Sequence, residues 1–194
     1  MNNWNNILTK NLLIDRIEVV KLHTTSKDRK AVFGMKQVIL SLLVDNTSGV
    51  LSRVAGLFSR RGYNIDSLTV GVTQDPKYSR MTVAVSGDDQ ILEQISKQLN
   101  KLEDVVDIIV LEEGKSVCRE LVLVKVKANN KEKQEIIAIA DIFRAKIVDV
   151  SVDSLMIELT GNINKVDAFI TLLKDFEISQ LVRTGLTGLT RGIN

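Results

Sequence analysis

From Met35 onward the apolar positions of this chain recur first every two residues and then every 3.6, and the two periods alternate. Val38–Val44 is a nearly continuous apolar run, which predicts a central strand covered on both faces. The next run, Gly49 to Arg61, predicts an amphipathic helix. Val50, Leu51, Val54, Leu57 and Phe58 fall on one stripe, with Ser52, Arg53, Ser59 and Arg60 opposite. Arg60 and Arg61 suit the negative end of that helix, and Gly62 can take the left-handed conformation that stops it. Ile65–Val72 reads as a strand, Gln74–Lys77 as a turn, and Arg80–Val85 as a strand alternating Met81, Val83 and Val85 against Thr82 and Ala84. A second helix at Asp89–Lys101 would bury Ile91, Leu92, Ile95, Leu99 and Leu102, and Val105–Leu111 closes the set as a strand.

The order is βαββαβ, and after a short linker at Glu112–Ser116 it repeats. Glu120–Lys127 is a strand, and Lys131–Arg144 a helix burying Ile136, Ile139, Ala140 and Phe143. Strands follow at Lys146–Ser151 and Leu155–Thr160 around a turn at Asp153. Lys165–Asp175 is a helix with Val166, Phe169, Ile170 and Leu173 inward, and Ile178–Arg183 is the last strand. The predicted class is α+β: two ferredoxin-like βαββαβ units in tandem, at 35–112 and 117–194. The tail from Thr184 has no clear period. Units this small bury proportionately little surface, so they are expected to pair by extending their sheets and to dimerise.

Residues 1–34 differ from the rest. Charges interrupt their apolar run, so no signal-peptide core is predicted, and acidic residues at 15, 18 and 28 weigh against a transit peptide. This segment reads as an extension outside the core. It also holds most of the charge imbalance: six basic and three acidic residues, leaving 20 basic against 21 acidic from Met35 on. A nearly neutral body speaks against nucleic acid as a partner. RNA-recognition modules share the βαββαβ order but stack bases on aromatics of their central strands, and Val38–Val44 and Arg80–Val85 contain none. The longest apolar runs reach seven or eight residues, against roughly 20 for a membrane span. One cysteine, Cys118, excludes an internal disulfide and suits a reducing cytoplasm.

Catalytic chemistry finds no footing. The single histidine, His23, lies in the extension, so the core offers no Ser/His/Asp or Cys/His arrangement, and one Cys with one His cannot build a usual zinc site. Cys118 falls at a strand start, where a structural thiol is the ordinary reading. The pairs Glu112–Glu113 and Asp88–Asp89 border loops, with no apolar setting to raise a carboxyl pKa. What remains is the turn Asp45-Asn46-Thr47-Ser48-Gly49, made of residues that favour turns and helix caps. The N–H groups of Gly49, Val50 and Leu51 would point outward at a helix N-terminus, which suits a carboxylate. Two arrangements stand open here. Either Ser48 or Thr47 caps those donors, which is the commoner outcome, or a small anionic ligand takes them.

The run from Asp45 to Leu68 (DNTSGVLSRVAGLFSRRGYNIDSL) resembles the ACT-domain signature of the regulatory small subunit of acetohydroxyacid synthase, also called acetolactate synthase. Ser79–Thr82, Gln94–Leu102, Arg119–Val126, Ile142–Ala145, Asp149–Ser151 and Arg183–Gly185 carry the similarity to about residue 192. The resemblance implies an ACT domain at 35–112 that dimerises and holds a branched-chain amino acid between subunits, and a C-terminal domain at 117–194. It implies no active site and no cofactor on this chain. Thiamine diphosphate, Mg and FAD are expected on a separate catalytic large subunit, which this chain would activate and render sensitive to feedback inhibition, usually by valine. The matching effector positions are Asn46, Gly49, Val50, Leu51, Asn64 and Ile65, with Asn64 and Ile65 facing the turn from the other subunit. Gly71 departs from the small side chain, often alanine, found there in the family. A free-standing ACT-type sensor acting on another enzyme or transcription factor is the alternative.

Overall fold

Each predicted βαββαβ run closes into one antiparallel sheet with two helices laid on a single face. The computed structural model describes residues 36–192, so the extension at 1–34 and His23 lie outside the described residues. The first unit comprises β1 (Lys36–Asp45), α1 (Val50–Arg60), β2 (Ile65–Val72), β3 (Tyr78–Gly87), α2 (Asp89–Leu99) and β4 (Val105–Val110), with strand order β2-β3-β1-β4. The second comprises β5 (Ser116–Lys127), α3 (Asn130–Ile142), β6 (Lys146–Val150), β7 (Ser154–Gly161), α4 (Ile163–Leu172), a 3₁₀ turn at Leu173–Asp175 and β8 (Ile178–Arg183). Its order, β6-β7-β5-β8, repeats the first.

Alternation decides which side of each sheet is covered. In the first unit Leu40, Leu42 and Val44 of β1 and Met81, Val83 and Val85 of β3 meet Val54, Leu57 and Phe58 of α1 and Ile95 and Leu99 of α2. In the second, Val122, Val124 and Val126 of β5 and Leu155, Ile157 and Leu159 of β7 meet Ile136 and Ala140 of α3 and Val166 and Phe169 of α4. Burying each such side chain contributes about 1.5–3 kcal/mol. Leu51 leaves the predicted stripe and is 45% exposed, because it lies in the first turn of α1 beside the exposed residues Asn46–Gly49.

Two departures from the expected pattern are connected. β5 begins at Ser116, not Glu120, and the tail forms a further strand, β9 (Thr187–Thr190), paired with Ser116–Arg119. Between them Thr184 donates its N–H to Leu121 C=O at 3.0 Å, Gly185 turns the chain at φ 84°, and Leu186 is buried at 4% exposure. Ser67 and Thr69 of β2 and their cross-strand partners Ala84 and Thr82 form the floor of the first sheet's helix-free face. Ala84 and Thr82 are buried there, and β9 lies against β3. The expectation that the two units pair by extending their sheets is therefore not met within the chain. Among the described residues no strand pairing joins them, and the tail crosses the back of the first sheet. Small polar residues there leave room for a chain to approach at backbone distance.

Candidate functional site: the turn between β1 and α1

β1 delivers the chain to the turn at Asp45, whose N–H bonds Asp104 C=O at 2.9 Å. Asn46 then ties the turn to the β2–β3 loop. Its N–H donates to Lys77 C=O at 2.7 Å, its Nδ2 donates to Pro76 C=O at 2.9 Å, and its Oδ1 accepts from Ser79 Oγ at 3.0 Å. Gly49 stands at the N-cap with φ 86°, and no side chain caps the helix, so neither Thr47 nor Ser48 occupies the donors. The first backbone bond of α1 runs from Arg53 N–H to Gly49 C=O at 2.9 Å, so the N–H groups of Val50, Leu51 and Ser52 precede the helical ladder. Val50 is buried beneath the turn, while Asn46–Gly49 and Leu51 are exposed.

The sequence reading missed a clasp beside this turn. Arg53 Nε and Nη2 donate to the two Asp104 carboxylate oxygens at 2.5 and 2.7 Å. The Arg53 guanidinium passes so close to Gly49 that a Cβ at residue 49 would lie 3.0 Å from Nη1. The hydrogen bonds from Arg53 hold the Asp104 carboxyl below its ordinary pKa, and the same bonds raise that of Arg53. The sequence placed Arg53 only on the polar face of the helix, and Asp104, about fifty residues on, carries no local signal.

Asn64 and Ile65 sit elsewhere in the chain. Ile65 pairs with Val85 and Val72 with Ser79, next to the Asp45–Tyr78 pair, so β2 runs its full length between Ile65 and the turn. At roughly 3.3 Å per residue that is about 20 Å. Asn64 is exposed and donates to Asp66 Oδ1 at 3.2 Å, and Ile65 packs on the first core. A single chain does not bring the two groups together. Among the described residues β2 is an edge strand, with Val70 and Val72 42% and 61% exposed. Gly71 faces the helix-free side opposite Arg80, and a methyl there would meet nothing within 4 Å.

The second unit offers an internal control. Its corresponding turn enters α3 with a complete capping box: Asn129 Oδ1 accepts from Lys131 and Glu132 N–H at 2.9 and 3.0 Å, and Glu132 Oε2 accepts from Asn129 N–H at 2.8 Å. A shallow cavity of about 520 Å³ opens there, with Lys127 and Glu177 ion-paired at its rim, but its helix donors are already taken. The remaining sequence candidates have structural roles. Asp88 caps α2 through Ile91 N–H at 2.8 Å, Asp89 pairs with Lys36, Glu112 pairs with Lys115, and Cys118 is half-buried against Gly188. No helix of the described residues is long and apolar enough to cross a membrane.

Residues 40–107 match the family model described as the AHAS small subunit-like ACT domain, and residues 119–192 match the small subunit of acetolactate synthase. A probable acetolactate synthase small subunit from Methanothermobacter thermautotrophicus is 53% identical over 155 residues, 79% of this chain and 92% of that protein. The acetolactate synthase small subunit of Haemophilus influenzae is 52% identical over 155 residues, 79% and 95% of the two chains. The crystal structure of the Thermotoga maritima acetolactate synthase small subunit aligns with a TM-score of 0.75 at 42% identity, over 82% of this chain and 99% of that one.

Proposed function

The chain belongs to the acetolactate synthase small-subunit family, and from that premise we propose that it is a non-catalytic regulatory subunit whose β1–α1 turn binds a branched-chain amino acid. The observation that carries this reading is the difference between the two units. α3 fills its own N-terminal donors, whereas α1 leaves Val50, Leu51 and Ser52 N–H outside the ladder behind a glycine that brings no side chain. An α-carboxylate there gains the helix-end field, about 0.3–1 kcal/mol when exposed and up to about 2 when partly buried.

In this reading residues 35–112 bind the effector and dimerise, and residues 117–194 form the C-terminal domain. Gly49, Val50 and Leu51 hold the carboxylate, and Asn46 acts through its bonds to Pro76 and Ser79 by fixing the turn. Asn64 and Ile65 of a second copy supply the ammonium and side-chain contacts. The open edge of β2 with its exposed Val70 and Val72 supports such pairing, since antiparallel β2 strands set the start of one beside the end of the other. The partner is the acetolactate synthase catalytic large subunit, which carries thiamine diphosphate, Mg and FAD. Binding of this chain raises its activity, and valine reverses the gain.

The test mixes purified chain with its catalytic subunit. The chain alone makes no acetolactate, the mixture exceeds the catalytic subunit, and valine lowers the mixture. A mixture indistinguishable from the catalytic subunit alone overturns the proposal. Valine binding without any effect on the partner points instead to a free-standing sensor.

A further inference from the structure

We propose that the C-terminal strap, residues 184–190, couples β2 to the second unit, so that a ligand held by the first unit is registered by the second. The ligand half of this statement rests on the effector reading above.

Three features of the seam carry it. The strap touches β2 directly: Leu186 N–H donates to Ser67 Oγ at 3.3 Å, and Thr69 Oγ1 donates to Thr184 C=O at 3.3 Å. It does so at backbone distance, because a Cβ on Gly185, at φ 84°, would sit 2.9 Å from the Ser67 Cβ. Its other end is anchored in the second unit. Leu121 N–H bonds Thr184 Oγ1 at 3.1 Å, Thr187–Thr190 pair with Ser116–Arg119, and the preceding Arg183 is ion-paired to buried Glu120 and to Asp167. The strap has few side chains to absorb movement where it meets β2, and packed contacts of that kind transmit displacement.

β2 is the element through which such displacement would arise. Among the described residues it is paired on one side only, Asn64 and Ile65 open it, and Ser67 and Thr69 lie within four residues of Ile65 on the same strand. Contacts made along its free edge therefore bear on a strand whose back is bonded to the strap. Ser67, Thr69 and the strap residues lie outside the proposed ligand set, so binding and its transmission are separable by mutation.

The experiment uses the full chain and the double variant Ser67→Ala/Thr69→Val, which removes both bonds with little change in volume; retained activation of the catalytic subunit controls for folding. Valine at saturation is expected to slow amide exchange in wild type both in β2 and in residues 116–127 and 184–190. In the variant, protection of β2 and the valine affinity persist, while the second-unit response and the inhibition fall at least about fivefold, the low end of ordinary coupling. Wild-type-like second-unit protection and inhibition in the variant overturn the proposal. Should valine leave wild type unaffected, the effector reading fails, and urea unfolding followed by exchange in each unit decides the coupling. One shared transition in wild type that splits in the variant supports it, and one shared transition in both overturns it.

Discussion

Gly49 carries the turn at two independent points, its φ of 86° and the Arg53 guanidinium that occupies the space of a side chain. Gly49→Ala is therefore expected to destabilise the chain by about 1–2 kcal/mol, the cost of a left-handed conformation for a residue with a Cβ. Equilibrium urea unfolding measures it, and a midpoint equal to wild type would refute the geometry. Arg53–Asp104 predicts a pH dependence. The folded-state pKa of Asp104 is depressed by Arg53, so the stabilisation is present above the ordinary carboxylate pKa and is lost as pH falls through the folded value. Asp104→Asn should then be less stable than wild type near neutrality and converge with it in acid. A gap that persists at low pH would show that the pair does not account for it.

At the scale of elements, two helices in equivalent places end differently. α3 is closed by Asn129 and Glu132, whereas α1 has no side-chain cap. Asn129→Ala should cost about 1 kcal/mol in urea-unfolding stability, and Ser48→Ala should stay within about 0.5 kcal/mol of wild type. Equal losses would mean that Ser48 caps α1 in solution. The elements themselves were legible because their periods are strong. Val38–Val44 is a nearly continuous apolar run, Met81, Val83 and Val85 alternate with Thr82 and Ala84, and Val50, Val54, Leu57 and Phe58 mark a helix face. Boundaries were less legible: α4 starts at Ile163 because Asn162 caps Lys165 N–H at 2.9 Å, two residues before the predicted start. β9 was missed altogether. Thr187-Gly-Leu-Thr190 is too short and too mixed for a period and becomes a strand only because Ser116–Arg119 is there to pair with it.

For the whole molecule, the sequence by itself determined the two βαββαβ units and their buried faces, and it singled out the turn Asn46–Leu51 as the candidate site. These depend on local spacing, since residues that share a helix or strand face do so wherever the element lies. Tertiary structure alone decided three matters. It left the donors of α1 uncapped while those of α3 were filled, although both turns are rich in capping residues. It set the distance between Asn64–Ile65 and the turn, which lie at opposite ends of β2. It also sent an aperiodic tail across Ser67 and Thr69 rather than joining sheet to sheet. Each is a choice among partners distant in sequence, with an energy set by distances and donors that no local pattern encodes.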